Sequence, residues 1–177
     1  MLGLNKGEVK LVRYNPEWPE LFQKEKMTLE GLIEAEVLGI EHIGSTAIEG
    51  IQAKPIIDIL IGLKELDDVQ SLGVKRMSEA NYYMLQQQNL KGKYVFAKFP
   101  YIKEENYTKT HYLHVVQYEG DWWNAHIDFR DRLNETPELA KKYEKLKTDL
   151  AEAYPEDVIT YSESKEQFIE DVLSGSI

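Results

Sequence analysis

Residues 38–63, LGIEHIGSTAIEGIQAKPIIDILIGL, decide how the rest of the chain is read. An apolar run ends at Ile43 and gives way to the small residues Gly44, Ser45 and Thr46. After a short segment and Lys54-Pro55, a second apolar run extends from Ile56 to Leu63 and holds a single acid, Asp58. The pattern predicts a strand, a tight small-residue turn, a short helix and a second strand. A lone carboxyl in an apolar strand is costly to bury unless it is paired or binds a metal. Glycine lets backbone approach a ligand closely, and amides opening a helix favour anions. Gly44 and Ser45 beside Asp58 therefore read either as a simple tight turn or as a triphosphate cradle next to a metal-binding acid.

EHIGSTAIEGIQAKPIIDI resembles the signature of the GrpB family, a branch of the nucleotidyltransferase superfamily in which a Gly-Ser turn opens a short helix and an acid-bearing strand follows about a dozen residues later. HYLHVV, FRDRL and YEKLK resemble that family in the same order, so the likeness runs from about Val9 to Leu173. It implies an α+β domain, of the two-layer α/β kind, in which helices pack on a mixed nucleotidyltransferase-like sheet. The superfamily pattern carries acids at i and i+2 of the strand, where both point to one face. In this chain the i+2 position is Leu60. That departure counts against two-metal chemistry and leaves nucleotide binding open.

With 177 residues, 42% of them hydrophobic and 29% charged, the chain suits a single soluble domain spanning 1–177. No apolar run is long enough to span a bilayer, and the N-terminus lacks the basic-then-apolar order of a secretory signal. The sequence has no cysteine, which excludes disulfides, thiolate catalysis and cysteine–zinc sites and fits a cytoplasmic protein. A net charge of −10 argues against an extended nucleic acid as partner. A small anionic ligand carried with magnesium stays compatible with that charge.

Outward from the central stretch, Trp18, Leu21, Phe22, Leu29, Leu32 and Ile33 fall on one helical stripe, which predicts a helix over 17–36 packed across the sheet. Residues 37–43 and 56–62 are the two strands. Leu66, Val69, Leu72 and Met77 suggest a crossover helix over 65–80, interrupted at Gly73. Residues 81–88 read as a strand edge or loop, 89–92 as a turn, 94–101 as a strand, 103–109 as a polar loop and 111–118 as a strand antiparallel to 94–101. Residues 122–129 read as a loop or strand leading into a helix near Phe129. Thr136-Pro137 starts a helix that ends at Tyr154-Pro155, and Ser164 with Gln167 forms a capping-box pattern opening the last helix.

The residues assigned to chemistry follow. Asp58 is the metal and catalytic carboxyl, and Lys54, just before its strand, reaches a phosphate. Gly44, Ser45 and Thr46 form the phosphate cradle, and Arg130 of FRDRL either clamps a phosphate or carboxylate or forms a helix-start salt bridge with Asp128 or Asp131. His111 and His114 are three apart and point to opposite strand faces, whereas Tyr112 and His114 share one. His114 is the candidate for the third acidic position that the resemblance implies on a neighbouring strand. Asp58 with His114 would hold one metal at most, Mg or Mn, with imidazole suiting manganese or zinc better. Only one of Glu41 and His42 faces the site. Trp122 and Trp123 either stack on a base or divide between core and rim.

Two functions follow. One is metal-dependent nucleotidyl transfer from an NTP to an acceptor. The other is a non-catalytic module that binds a nucleotide or related phosphorylated ligand and regulates or chaperones a protein partner. GrpB-like domains fused to dephospho-CoA kinase link the second to coenzyme A metabolism. An acid reaching Asp58 from elsewhere in the chain favours the enzyme, and Leu60 closing the pocket favours the module.

Overall fold

The apolar runs flanking Gly44 become adjacent strands of the main sheet. The computed structural model describes residues 2–66, 69–88, 90–103 and 106–177. A short strand β1 (Leu4–Asn5) precedes helix α1 (Trp18–Leu32), strand β2 (Val37–Ile43), a 3-10 turn at Ser45–Ala47 and strand β3 (Ile57–Leu63). A second 3-10 turn at Val69–Leu72 leads to α2 (Val74–Glu79), β4 (Tyr82–Met84) and β5 (Lys93–Lys98). Strands β6 (Tyr101–Lys103), β7 (Asn106–Lys109) and β8 (His111–Gln117) follow. The chain closes with α3 (Asp121–Glu135), α4 (Pro137–Ala153), α5 (Val158–Glu163) and α6 (Glu166–Ser174).

The main sheet has five strands in the order β2-β3-β8-β5-β4, and β1-β7-β6 form a separate antiparallel sheet. β3 pairs antiparallel with β2 and parallel with β8, and β8 pairs antiparallel with β5. The fold is α+β with a mixed sheet. One face carries Ile40, Ile57, Ile59, Ile61, Leu113 and Val115 against Trp18, Phe22 and Leu29 of α1. On the opposite face, Ile43, Leu60 and Val116 pack under Trp123 of α3. Gly39 and Gly62 are register partners, and a Cβ on either would come within 2.7 Å of Trp123. Their missing side chains leave the flat patch on which the indole lies.

Several expectations are corrected. The first helix stops at Leu32 rather than reaching residue 36, because Ile33 is already extended. The crossover segment is a 3-10 turn and a short α2, with residues 67 and 68 outside the described set. The turn expected at 89–92 includes residue 89, also outside it. Much of the expected polar loop over 103–109 is strand: β7 pairs with β1, an N-terminal partner too short to show periodicity. Residues 122–129 are helix α3 throughout, since the helical spacing of Trp123, Ile127 and Leu133 is obscured by neighbouring aromatics. The capping box does not form: Ser164 ends α5, and Lys165 stands at the start of α6 without a side-chain cap. Asp157 caps α5 instead, accepting from Thr160 N–H at 3.0 Å.

Under α1 the core holds a charged cluster. Glu25 accepts from Lys98 Nζ at 2.6 Å and from the Tyr82 hydroxyl, and His111 Nε2 lies 3.6 Å away. Burial raises the Glu25 carboxyl, but bonds from Lys98 and Tyr82 outweigh it and hold the group below its ordinary range. A carboxyl depressed in the folded state stabilises above its unfolded pKa, and that contribution is lost as pH falls through the folded value. Lys98→Met leaves a buried charge without its main partner, so urea unfolding at pH 7 is expected to show a loss of about 3 kcal/mol. The variant's carboxyl is raised instead, so its deficit against wild type narrows at pH 4.5. A deficit unchanged with pH would place the loss in packing rather than charge.

Candidate functional site

Gly44 sets the geometry of the site. Its φ of 70° and ψ of −171° lie in a region open essentially only to glycine. A Cβ there would fall 2.4 Å from Asp58 Oδ2, so the Gly44 main chain packs directly on the carboxyl. Asp58 lies beside Ile43 in β2 and Tyr112 in β8. The other oxygen, Oδ1, is 3.4 Å from His114 Nε2, one inward-facing position further along β8. Burial lowers the His114 pKa, partly offset by Asp58. Its Nδ1 is buried without a hydrogen-bond partner among the described residues, and the His126 ring lies 5.4 Å from its own. Burial and the neighbouring charges of His114 and Lys93 drive His126 down to about 2.

The loop after Gly44 is held by two helices. Asn134 of α3 donates to the Ala47 carbonyl and accepts from Glu49 N–H, each at 3.0 Å. On α4, Glu144 accepts from Gln52 N–H at 2.7 Å and Lys147 donates to the Gln52 carbonyl. These clamps fix Lys54 before β3.

Around Asp58 gathers a set of lysines. Lys54 Nζ and Lys165 Nζ lie 4.8 and 4.4 Å from the centroid of the Tyr161 ring. Lys109 Nζ donates to the Tyr112 hydroxyl at 2.5 Å. Lys147 is 1% exposed. Among the described residues none of these four ammoniums forms an ion pair with a carboxylate; the lysines that do are Lys24, Lys64, Lys98 and Lys145. Burial depresses Lys54, with Asp58 opposing. Burial and the charge of Lys54 lower Lys109 to about 8. Lys165, by burial and Lys54, and Lys147, by burial, Lys165 and Lys54, fall to about 7. Lys93, two inward-facing positions from Asp58 across the sheet, falls by burial to about 8, and its Nζ is 3.3 Å from His126 Nε2.

The residues singled out in the sequence divide into two groups. Gly44, Ser45, Lys54, Asp58 and His114 come together at the turn between β2 and β3. Thr46 is turned inward instead: 2% exposed, its hydroxyl lies 2.9 Å from His42 Nε2 and 3.5 Å from the Ile56 carbonyl. Arg130 has its Nε and Nη1 taken up within the protein, donating to Glu41 at 2.8 Å, the His42 carbonyl at 2.9 Å and Asp131 at 2.7 Å. Glu41 takes the site face of β2, and His42 the other, stacked on Phe22. Trp123 is core and Trp122 is rim. Lys109, Lys147, Lys165, Tyr143 and Tyr161 were not foreseen. For Lys147 a signal existed, since it follows Tyr143 by one helical turn along the apolar stripe of α4.

The donor set does not fit a two-metal centre. Leu60, at the second acid's position, is 0% exposed and packed among Ile43, Val116 and Trp123. Among the described residues no group of three or more His, Asp or Glu converges to hold an ion. A cleft of about 700 Å³ bordered by Lys64, Lys91 and Trp122 lies at the other end of the sheet, away from Asp58. Gly44→Ala forces a side chain into a glycine-only conformation and onto Asp58, so the urea midpoint is expected to fall by an amount equivalent to about 2 kcal/mol. An unchanged midpoint would show that the turn relaxes freely and does not constrain Asp58.

The family described as "GrpB protein" matches residues 8–174. The glutamate-rich protein GrpB of Alkalihalophilus pseudofirmus is 53% identical over 174 residues, covering 98% of this chain and 99% of that one. The UPF0157 protein YqkA of Bacillus subtilis is 33% identical over 164 residues, covering 93% of this chain and 46% of the relative. The crystal structure of the conserved protein GrpB from Enterococcus faecalis superposes with a TM-score of 0.82 at 32% identity, covering 94% of this chain and 96% of that one. Among the described residues no helix is long and apolar enough to cross a membrane. With the match running from the N-terminal lead-in through α6, and the solved relative sharing the arrangement of sheet and helices, the chain belongs to the GrpB family.

Proposed function

We propose that this chain binds a small phosphorylated ligand, a nucleotide or a compound like it, at the lysine-lined face around Asp58. The observation that carries this reading is that Lys54 and Lys165 share the Tyr161 ring and Lys109 is bonded to Tyr112, the register partner of Asp58, while none of the three forms an ion pair with a carboxylate among the described residues. Half-buried ammoniums held together without carboxylate partners cost stability. An anionic ligand relieves that cost, and charge-assisted hydrogen bonds to phosphoryl oxygens are among the strong ones. The Tyr161 and Tyr112 rings face the lysine ammoniums, and the Tyr112 hydroxyl accepts from Lys109. The chain is a binding module in this reading, with Leu60 closing the place where a second metal-binding acid would stand.

Metal-dependent nucleotidyl transfer from an NTP to an acceptor is the second reading, and the Asp58–His114 pair beside the Gly44 turn favours it. It assigns the ion, Mg or Mn, to those two side chains and the triphosphate to Ser45, Lys54 and the turn. Pyrophosphate release from ATP with Mn²⁺ separates the two: the module reading expects none above the rate without protein.

The binding reading is tested by thermal unfolding with ATP, coenzyme A and tripolyphosphate. A ligand at 100 times its dissociation constant adds about 2.7 kcal/mol, a clear rise in Tm. Lys54→Gln and Lys165→Gln each remove a charged contact and are expected to weaken binding about tenfold or more. No stabilisation by any phosphorylated probe overturns the reading.

A further inference from the structure

We infer that the ligand is held as a metal-free polyphosphate, with ammonium groups in the role that divalent ions fill at a two-metal site. The inference rests on the binding reading above and specifies the form in which the ligand enters. Asp58 Oδ1 faces His114 Nε2 at 3.4 Å, and the Gly44 main chain crowds Oδ2 so closely that a Cβ there would be 2.4 Å away. The partner acid that would share an ion is replaced by Leu60, sealed under Trp123. What surrounds the carboxyl is cationic. Lys54 and Lys165 share the Tyr161 ring, Lys109 is braced on Tyr112, the register neighbour of Asp58, and Lys147 stands behind them on Tyr143. These charges already repel one another strongly enough for Lys54 to lower each of the other three. A dication added there meets the same repulsion, whereas a chain of phosphoryl groups meets several donors at once. Asp58 then serves as the fixed counter-charge that lets the lysines gather, and it is not a metal ligand. A magnesium complex of the same polyphosphate arrives with part of its charge neutralised and some of its oxygens taken.

The test is calorimetric titration of the whole chain with tripolyphosphate, once in EDTA and once in excess Mg²⁺. Binding is expected in EDTA, with the apparent affinity about tenfold weaker in Mg²⁺ as the complexed form replaces the free one. Asp58→Asn, checked for cooperative unfolding, is expected to keep tripolyphosphate binding in EDTA within about tenfold of wild type, because the carboxyl supports the lysines and holds no ion through which the ligand is bound. The wild-type arms stand alone should that variant fold poorly. Binding that appears only with Mg²⁺ or Mn²⁺ overturns the metal-free inference and leaves the phosphate-binding reading intact. Titrations of wild type without heat or stabilisation in either arm overturn both.

Discussion

The packing of the Gly44 main chain on the Asp58 carboxyl is the contact from which the site follows. It joins the end of β2 to the start of β3 at their register pair Ile43 and Asp58, and it demands a backbone conformation that only glycine adopts readily. Because the turn is fixed there, the loop that follows must cross to α3 and α4, and the bonds from Asn134, Glu144 and Lys147 hold it. That crossing delivers Lys54 to the carboxyl from one side. β8, paired parallel to β3, delivers Tyr112 and His114 from the other. The sheet order is thus a cause of the site: moving β8 away from β3 would take Tyr112 and His114 from Asp58 and leave it with Gly44 and Lys54.

The charge distribution runs against the composition. The chain carries a net −10, yet lysines without carboxylate partners gather at one place. In a protein with an excess of acids, pairing these lysines would need only an Asp or Glu on a neighbouring helix or strand face. Tyr161, Tyr143 and Tyr112 occupy those positions instead. Aromatic faces attract an ammonium weakly and leave its hydrogens available. The arrangement holds the cations in position without neutralising them, which is what an anion-binding surface needs before its ligand arrives.

The central stretch was legible because its constraints are local. Strand–turn–strand over 38–63, the opposite faces of His111 and His114, and the shared face of Tyr112 and His114 all follow from period-two alternation and one glycine turn. The α4 helix was legible from Thr136-Pro137 and its stripe. What escaped depends on distant segments. β7 is a strand because β1, a hundred residues earlier in the chain, pairs with it. Lys165 joins the site because α5 and α6 fold back towards Lys54, and a charged residue at a helix start reads as solvated. Arg130 and Thr46 carried the right chemistry in the right motif, but Glu41, Asp131 and the His42 carbonyl take the Nε and Nη1 of Arg130, and the Ile56 carbonyl takes the Thr46 hydroxyl. A motif specifies which residue types meet, and only packing decides which of them remain free.

The two faces of the sheet provide an internal comparison. Beneath α1, a buried acid and its neighbours satisfy one another: Glu25 receives Lys98 and Tyr82, and His111 also donates to or accepts from Thr110 at 2.9 Å. That cluster is closed. On the other face of the same strands, Asp58 lies among several cations, and the inner nitrogen of His114 has no partner among the described residues. Both faces have the same desolvation to overcome, and the fold evidently can build a satisfied polar cluster in a core. The unsatisfied one is therefore not a general failing of this architecture. It is confined to the face where the glycine turn, the lone strand carboxyl and the C-terminal helices converge, and an anion bound there would offset its charge where a metal ion would add to it.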